Sequence, residues 1–342
     1  MAKRLVLHVG AMKSGTTYLQ SLLFANQAVL AGHGVLVPGA SRSEQGRAVR
    51  DVLGHGARGG PALAGSWDRL VEQMAAHDGT AVVSVELLGP AVPANIEKVL
   101  APFAEVDLEV VVTARDLNRN LVAMWQETLQ NGRSWTFSEF VDGARAWRPS
   151  GDRAPEDRTD AGVLFWRQQN IVRLCRGWSL ASGGVRVVTV PPPGAPREVL
   201  RDRFVALLGV PAEDLAQAPR ANESLGAASA ETVRRLNELL DARGLAFPRG
   251  MQVRKYLLAK RILAERRRDE PAVGLPVEPW VREQTDRLVH GLQELGVGLV
   301  GDWSELTPQD VPGRPDAAVD AIETLEAALA GLTGLVADAI ER

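Results

Sequence analysis

The chain has 342 residues, 45% hydrophobic and 24% charged, enough for a large core in one to three domains. Its net charge of -3 argues against a nucleic-acid or polybasic membrane role. No apolar run reaches the roughly 20 residues of a membrane span. Lys13 interrupts "LVLHVGAM" too early for a signal peptide, and one cysteine, Cys175, permits no internal disulfide, so a reducing cytoplasm is the expected location. Cys175 itself, within "NIVRLCRGW", reads as a small buried hydrophobe. Arginine greatly outnumbers lysine, so a lysine placed in a loop carries more information than any single arginine.

In chain order, short β-branched runs alternate with helical stretches, the pattern of a parallel sheet with crossover helices and hence an α/β fold. Strands are expected at 4–10, 34–39, 80–86 and 108–114, with helices at 17–30, 67–77, 95–102 and 118–131. The segment 39–66, rich in glycine and polar residues, reads as a long loop or a short helix between loops. Beyond residue 132 helices dominate, at 137–147, 163–181, 197–208, 226–242, 251–267 and 279–296, with one further strand at 185–190. The loop 149–161 is polar. These elements compose a single domain over 1–312, its motif-bearing core in 1–132. The tail 313–342 places Val319, Ile322, Leu325, Leu329, Leu332 and Val336 at three- and four-residue spacing. That is an amphipathic helix, docking on its own domain or pairing two chains into a homodimer, with docking the favoured reading.

The first strand runs into "GAMKSGTT", residues 10–17, and then into a helix. A glycine-bearing strand-to-helix turn aims backbone N–H groups and the positive helix end at an anion. The loop of nucleotide triphosphatases has its lysine after the second glycine; here that position is Thr16 and the lysine is Lys13. No aspartate is evident as a magnesium ligand. A ligand whose leaving group departs from a single 5′-phosphate needs only one cation near the bridging oxygen, without a metal.

"KSGTTYLQ" resembles the 5′-phosphosulfate loop of the sulfotransferases, enzymes that use 3′-phosphoadenosine 5′-phosphosulfate (PAPS) and release 3′-phosphoadenosine 5′-phosphate (PAP). The family's second motif, a strand ending in Arg-Asp or Arg-Asn before a helix, is matched by "VVVTARDLNRNLVAMWQE" about a hundred residues later. The resemblance covers the N-terminal half and implies a P-loop-like sulfotransferase fold. It also implies roles: Lys13 neutralises the phosphosulfate, while Ser14, Gly15, Thr16 and Thr17 hold the 5′-phosphate. Tyr18 takes the adenine-stacking position, packing inward being the equal alternative, and Arg115 binds the 3′-phosphate. Two positions depart from the family: Ala123 stands where a serine is common, and Leu117 where proline is usual. Arg119 or Asn120 are the available substitutes at the 3′-phosphate.

Sulfuryl transfer needs a base for the acceptor hydroxyl. Glu86, at the carboxyl end of the third strand, is the first candidate, since ligands bind outside the carboxyl ends of parallel strands. His55, in the 39–66 segment, is the second. Glu44 is a weaker candidate, Asp116 is expected to pair locally, and His8 reads as a core histidine. Trp125, Trp135, Trp147 and Trp166 are read as core rather than acceptor cleft. The acceptor is expected to be a carbohydrate, lipid or small molecule, with no metal required. Two rivals stand: a small-molecule P-loop kinase, and a non-catalytic nucleotide-binding member of the fold, for which Ala123 is the hint.

Overall fold

Period-two alternation in the first strand sets the architecture. In β1 (Arg4–Gly10), Leu5, Leu7 and Val9 enter one hydrophobic cluster, while Val6 enters another on the opposite face. A strand buried on both faces is the signature of a parallel sheet covered by helices on each side. The computed structural model describes residues 2–54, 63–147, 160–182, 184–218, 224–314 and 319–341, and shows this sheet directly. Its strands are β1, β2 (Val35–Leu36), β3 (Thr80–Ser84), β4 (Asp107–Ala114), β5 (Val185–Thr189) and β6 (Gly298–Val300). They run in the order β2-β3-β1-β4-β5-β6, with every pairing parallel. Thus β1 is central, and its chain connection leaves toward β2 while that of β4 leaves toward β5. Such a reversal opens a crevice at the carboxyl ends of the two strands.

Helix Thr16–Ala25 buries Leu19, Leu22 and Leu23 on the face of Val6, Val82 and Val111. Helices Pro93–Leu100 and Ile171–Ser182 cover the other face through Ile96, Val99, Leu174 and Trp178. A second core, built on helices Leu117–Gln130, Phe137–Ala146 and Ala161–Gln169, encloses Trp125 and Trp166 completely, so these two are packing residues. Cys175 is fully buried, and burial pushes its thiol up to about 12. No helix among the described residues is long and apolar enough to cross a membrane.

Three expectations change, and of the two alternatives for 39–66 the helix is the one observed. The sheet has a sixth strand, β6, whose three residues are too few to show an alternating pattern. The segment 39–66 contains a full helix, Arg42–Val52, begun by Ser41 as N-cap with Glu44 returning to the Ala40 N–H. The expected helix 163–181 is two helices, because Asn170 breaks it and its Oδ1 caps the second through the Arg173 N–H. Residues Gln252–Leu263 are wound as a π-helix, a rare form. His55 and most of the loop 149–161 lie outside the described residues.

Candidate functional site

The loop after β1 turns tightly. Lys13 adopts a left-handed backbone (φ 62°), rare for a residue with a side chain and often met at ligand sites. Gly15 is also left-handed (φ 81°), and a Cβ there would lie 2.5 Å from Leu200 Cδ2, so only glycine fits. Gly15 is the N-cap of helix Thr16–Ala25 and contributes no side chain, which leaves the first N–H groups of the helix uncapped. Ser14 is wholly buried, and its Oγ has no partner. An uncapped helix end beside an unsatisfied buried hydroxyl is chemically suited to a phosphate oxygen.

Lys13 is not alone. Its Nζ donates to Glu127 Oε2 (2.6 Å), and Lys255 Nζ, from the π-helix, donates to Glu127 Oε1 (2.8 Å) and Asn131 Oδ1 (2.7 Å). Burial alone would raise the Glu127 carboxyl, but the two ammonium groups outweigh it and hold the acid well below the usual range. Lys260, one π-helix turn further along, lies within electrostatic reach of Glu127, Lys255, Lys13 and Arg42. Burial lowers its ammonium pKa, an effect that Glu127 opposes and the neighbouring cations reinforce. Two of the chain's five lysines therefore meet on one carboxylate at this loop, with a third, Lys260, in electrostatic reach, in a protein that mostly uses arginine. The sequence offered no lysine near Lys13; the tertiary structure supplies two.

Glu86 stands on the other side of the loop. Its Cα and carbonyl lie 3.9 and 3.7 Å from where a Cβ of Gly10 would be, and its Oε2 accepts from Gln20 Nε2 (2.6 Å). Gln20 Oε1 in turn accepts two bonds from the Arg42 guanidinium (2.8 and 3.1 Å). Arg42 is brought there by Gln45, which is buried, donates to the Pro38 carbonyl and accepts from the Ser84 N–H at the end of β3. The segment 39–54 is thus fastened beside Glu86. Glu44 serves only the helix cap. His8 is fully buried, bonded to Ser84 and Thr113, and desolvation pushes its imidazole down to about 3, so it is a neutral core residue.

The second motif begins helix Leu117–Gln130 at the end of β4. Asp116 caps that helix through the Arg119 N–H and pairs with the Arg119 guanidinium, which also reaches the Pro191 carbonyl after β5. Arg115 donates to the Arg119 carbonyl (2.6 Å), and its Nε is buried without a partner. Burial, with Arg119 adding to it and Asp116 opposing, pushes the Arg115 guanidinium down to about 10. Arg115 lines a small cavity with Asn120, Gln169, Thr285 and Leu288. It is linked to the loop indirectly: Asn120 donates to the Arg115 carbonyl and to Gln169, and Gln169 donates to the Met12 carbonyl. Arg119 lies nearer the Gly15 turn, since Val190, beside Pro191, is 3.8 Å from a Cβ built on Gly15. Tyr18 is half-buried against helix Glu198–Leu207; burial raises its phenol pKa, with Arg201 the strongest opposing charge.

The carboxyl ends of the three central strands thus hold the Lys13 loop, Glu86 and the Arg115–Arg119 pair. Sequence reasoning missed Glu127, Lys255, Lys260 and Gln20. The scarcity of lysine was the one signal that could have singled out Lys255 and Lys260. No protein-family model, curated protein or solved structure matches the chain.

Proposed function

We propose that the chain is a PAPS-dependent sulfotransferase acting on the hydroxyl of a carbohydrate, lipid or small-molecule acceptor. The observation that carries the reading is the left-handed Lys13 in an uncapped strand-to-helix turn at the centre of a parallel sheet, with a carboxylate, Glu86, on the adjacent strand end. The β2-β3-β1-β4-β5 order, with the loop on the central strand, supports a P-loop-like arrangement. The residues suit the cofactor: the buried, unpartnered Ser14 Oγ and free helix N–H groups would hold its 5′-phosphate. The buried, unsatisfied Arg115 Nε, with Arg119, is available to its 3′-phosphate.

PAPS supplies an activated sulfuryl group whose S–O bond to the 5′-phosphate breaks as the acceptor oxygen bonds to sulfur. Lys13 would hold the negative charge left on that phosphate, as electrostatic stabilisers do at developing anions. Glu86 would take the acceptor proton, with Gln20 fixing its carboxylate. Glu127 holds Lys13 and Lys255 together and keeps both ammonium groups on one side of the loop. The deciding experiment pairs two ligands in a thermal-shift assay. PAP should stabilise the protein, and adenosine 5′-phosphosulfate, lacking the 3′-phosphate, should do so less. A ligand at a hundred times its Kd adds about 2.7 kcal/mol, which such an assay resolves. Indifference to PAP together with magnesium-dependent ATP turnover would replace the reading with a kinase. PAP binding without transfer of labelled sulfuryl to any acceptor would replace it with a non-catalytic nucleotide binder.

A further inference from the structure

We propose that the C-terminal helix, Ala321–Glu341, pairs antiparallel with the same helix of a second copy of this chain. The helix has two faces. Its back, made of Thr324, Ala327 and Gly331, is buried against helices Ala227–Ala242 and Gln252–Leu263. The seat is close: a Cβ on Gly331 would lie 3.0 Å from Leu258, and one on Gly334 2.7 Å from Ile262. The Arg261–Asp338 ion pair (3.0 Å) and the Thr232 hydroxyl, which donates to the Thr324 carbonyl, fasten it further.

Apart from Val319, which packs against the second core, the apolar stripe that the spacing had assigned to docking points the other way. Ile322, Leu325, Leu329, Leu332, Val336 and Ile340 are 49–79% exposed. A helix seated by its small residues cannot turn this stripe inward. The positions 322, 325, 329, 332 and 336 alternate three- and four-residue steps, the a/d seam by which one helix packs against another. The stripe is about 27 Å long and roughly 10 Å wide, comparable to the largest apolar patches that monomers leave exposed.

Charge selects the occupant. The helix carries four acids, Glu323, Glu326, Asp338 and Glu341, and no Lys or Arg. Interfacial helices that lie on anionic membranes carry basic polar faces, so a lipid surface is a poor match. A second copy offers an equally long, equally uncharged stripe, and a two-fold interface needs only that self-complementarity. In a parallel pair the two C-terminal helix ends, where both helix dipoles are negative, would lie side by side. The antiparallel pair instead sets them beside the partner's positive helix start. Leu329 then faces Leu332 of the second copy across the axis. At about 600 Å² in total the contact is smaller than a standard stable interface, so the dimer is a weak, concentration-dependent one.

Sedimentation of the full chain across the micromolar range should show a concentration-dependent species of twice the 36.8 kDa monomer. Leu329→Glu with Leu332→Glu should abolish it without lowering thermal stability, because both side chains are exposed. Ala337→Glu, exposed but off the stripe, should leave it intact. A spin label at Glu341→Cys should lie about 30 Å from its counterpart in the antiparallel pair, against about 10 Å in a parallel one. A monomer at every concentration, a dimer indifferent to the double substitution, or a 10 Å label distance would overturn the proposal. So would a monomer that co-sediments with phosphatidylglycerol vesicles through this stripe.

Discussion

Replacing Glu127 by glutamine removes the one carboxylate shared by Lys13 and Lys255 while keeping its shape. The Glu127 and Lys255 side chains are each 12% exposed and that of Lys13 is 31% exposed. Breaking a buried ion pair by deleting one partner costs about 3–5 kcal/mol, because the other charge is stranded. Lys13 can rehydrate and Lys255 keeps its bond to Asn131, so the lower end, about 3 kcal/mol, is expected. Urea unfolding of both proteins measures it directly. The pH dependence supplies a second check. The folded-state pKa of Glu127 lies below its unfolded value, so its stabilisation is complete above the ordinary glutamate range. It is lost only as pH falls through the depressed folded value, and the gap between wild type and variant should close only in strong acid. Adding Lys255→Met to Glu127→Gln should restore part of the loss, since it removes the stranded cation. The single variant should also bind PAP more tightly, because no carboxylate then competes for Lys13. A stability change below about 0.5 kcal/mol, the size of an ordinary surface substitution, would refute the shared-carboxylate argument.

Three further outcomes follow from the site. Lys13→Ala should lower sulfuryl transfer about a hundredfold, roughly 3 kcal/mol in the barrier; Lys255, held on the same carboxylate, limits the loss, so Lys13→Ala with Lys255→Met should fall further in the same steady-state assay. Glu86→Gln should keep PAP affinity near wild type while acceptor-dependent turnover drops ~10²-fold or more; full turnover in that variant would remove Glu86 from the chemistry. Arg115→Ala and Arg119→Ala, compared by calorimetry with PAP and adenosine 5′-phosphosulfate, should each shrink the preference for PAP, and an undiminished preference in both would place the 3′-phosphate elsewhere.

Much of this protein was legible along the chain because the relevant forces are local. The near-continuous apolar runs in "RLVLHVG" and "LEVVVTA" specified strands buried on both faces, and hence a parallel sheet with helices on each side. The loop "GAMKSGTT" announced its turn because left-handed backbone and an uncapped helix start need glycines at particular positions. His8, Cys175 and Asp116 behaved as their immediate neighbours implied. What the tertiary structure decided is long-range. Glu127 and Lys255, 128 residues apart, come within hydrogen-bonding distance through packing that no local pattern encodes. Gln20 reaches Glu86 across 66 residues for the same reason. The C-terminal helix shows the limit most plainly. Periodicity identified an amphipathic helix, and the large residues were the natural docking face, yet the structure docks the small ones. Hydrophobicity says that a face seeks cover; only the shape of the neighbouring surface, here a π-helix that admits Gly331 and Gly334 at close range, decides which face receives it.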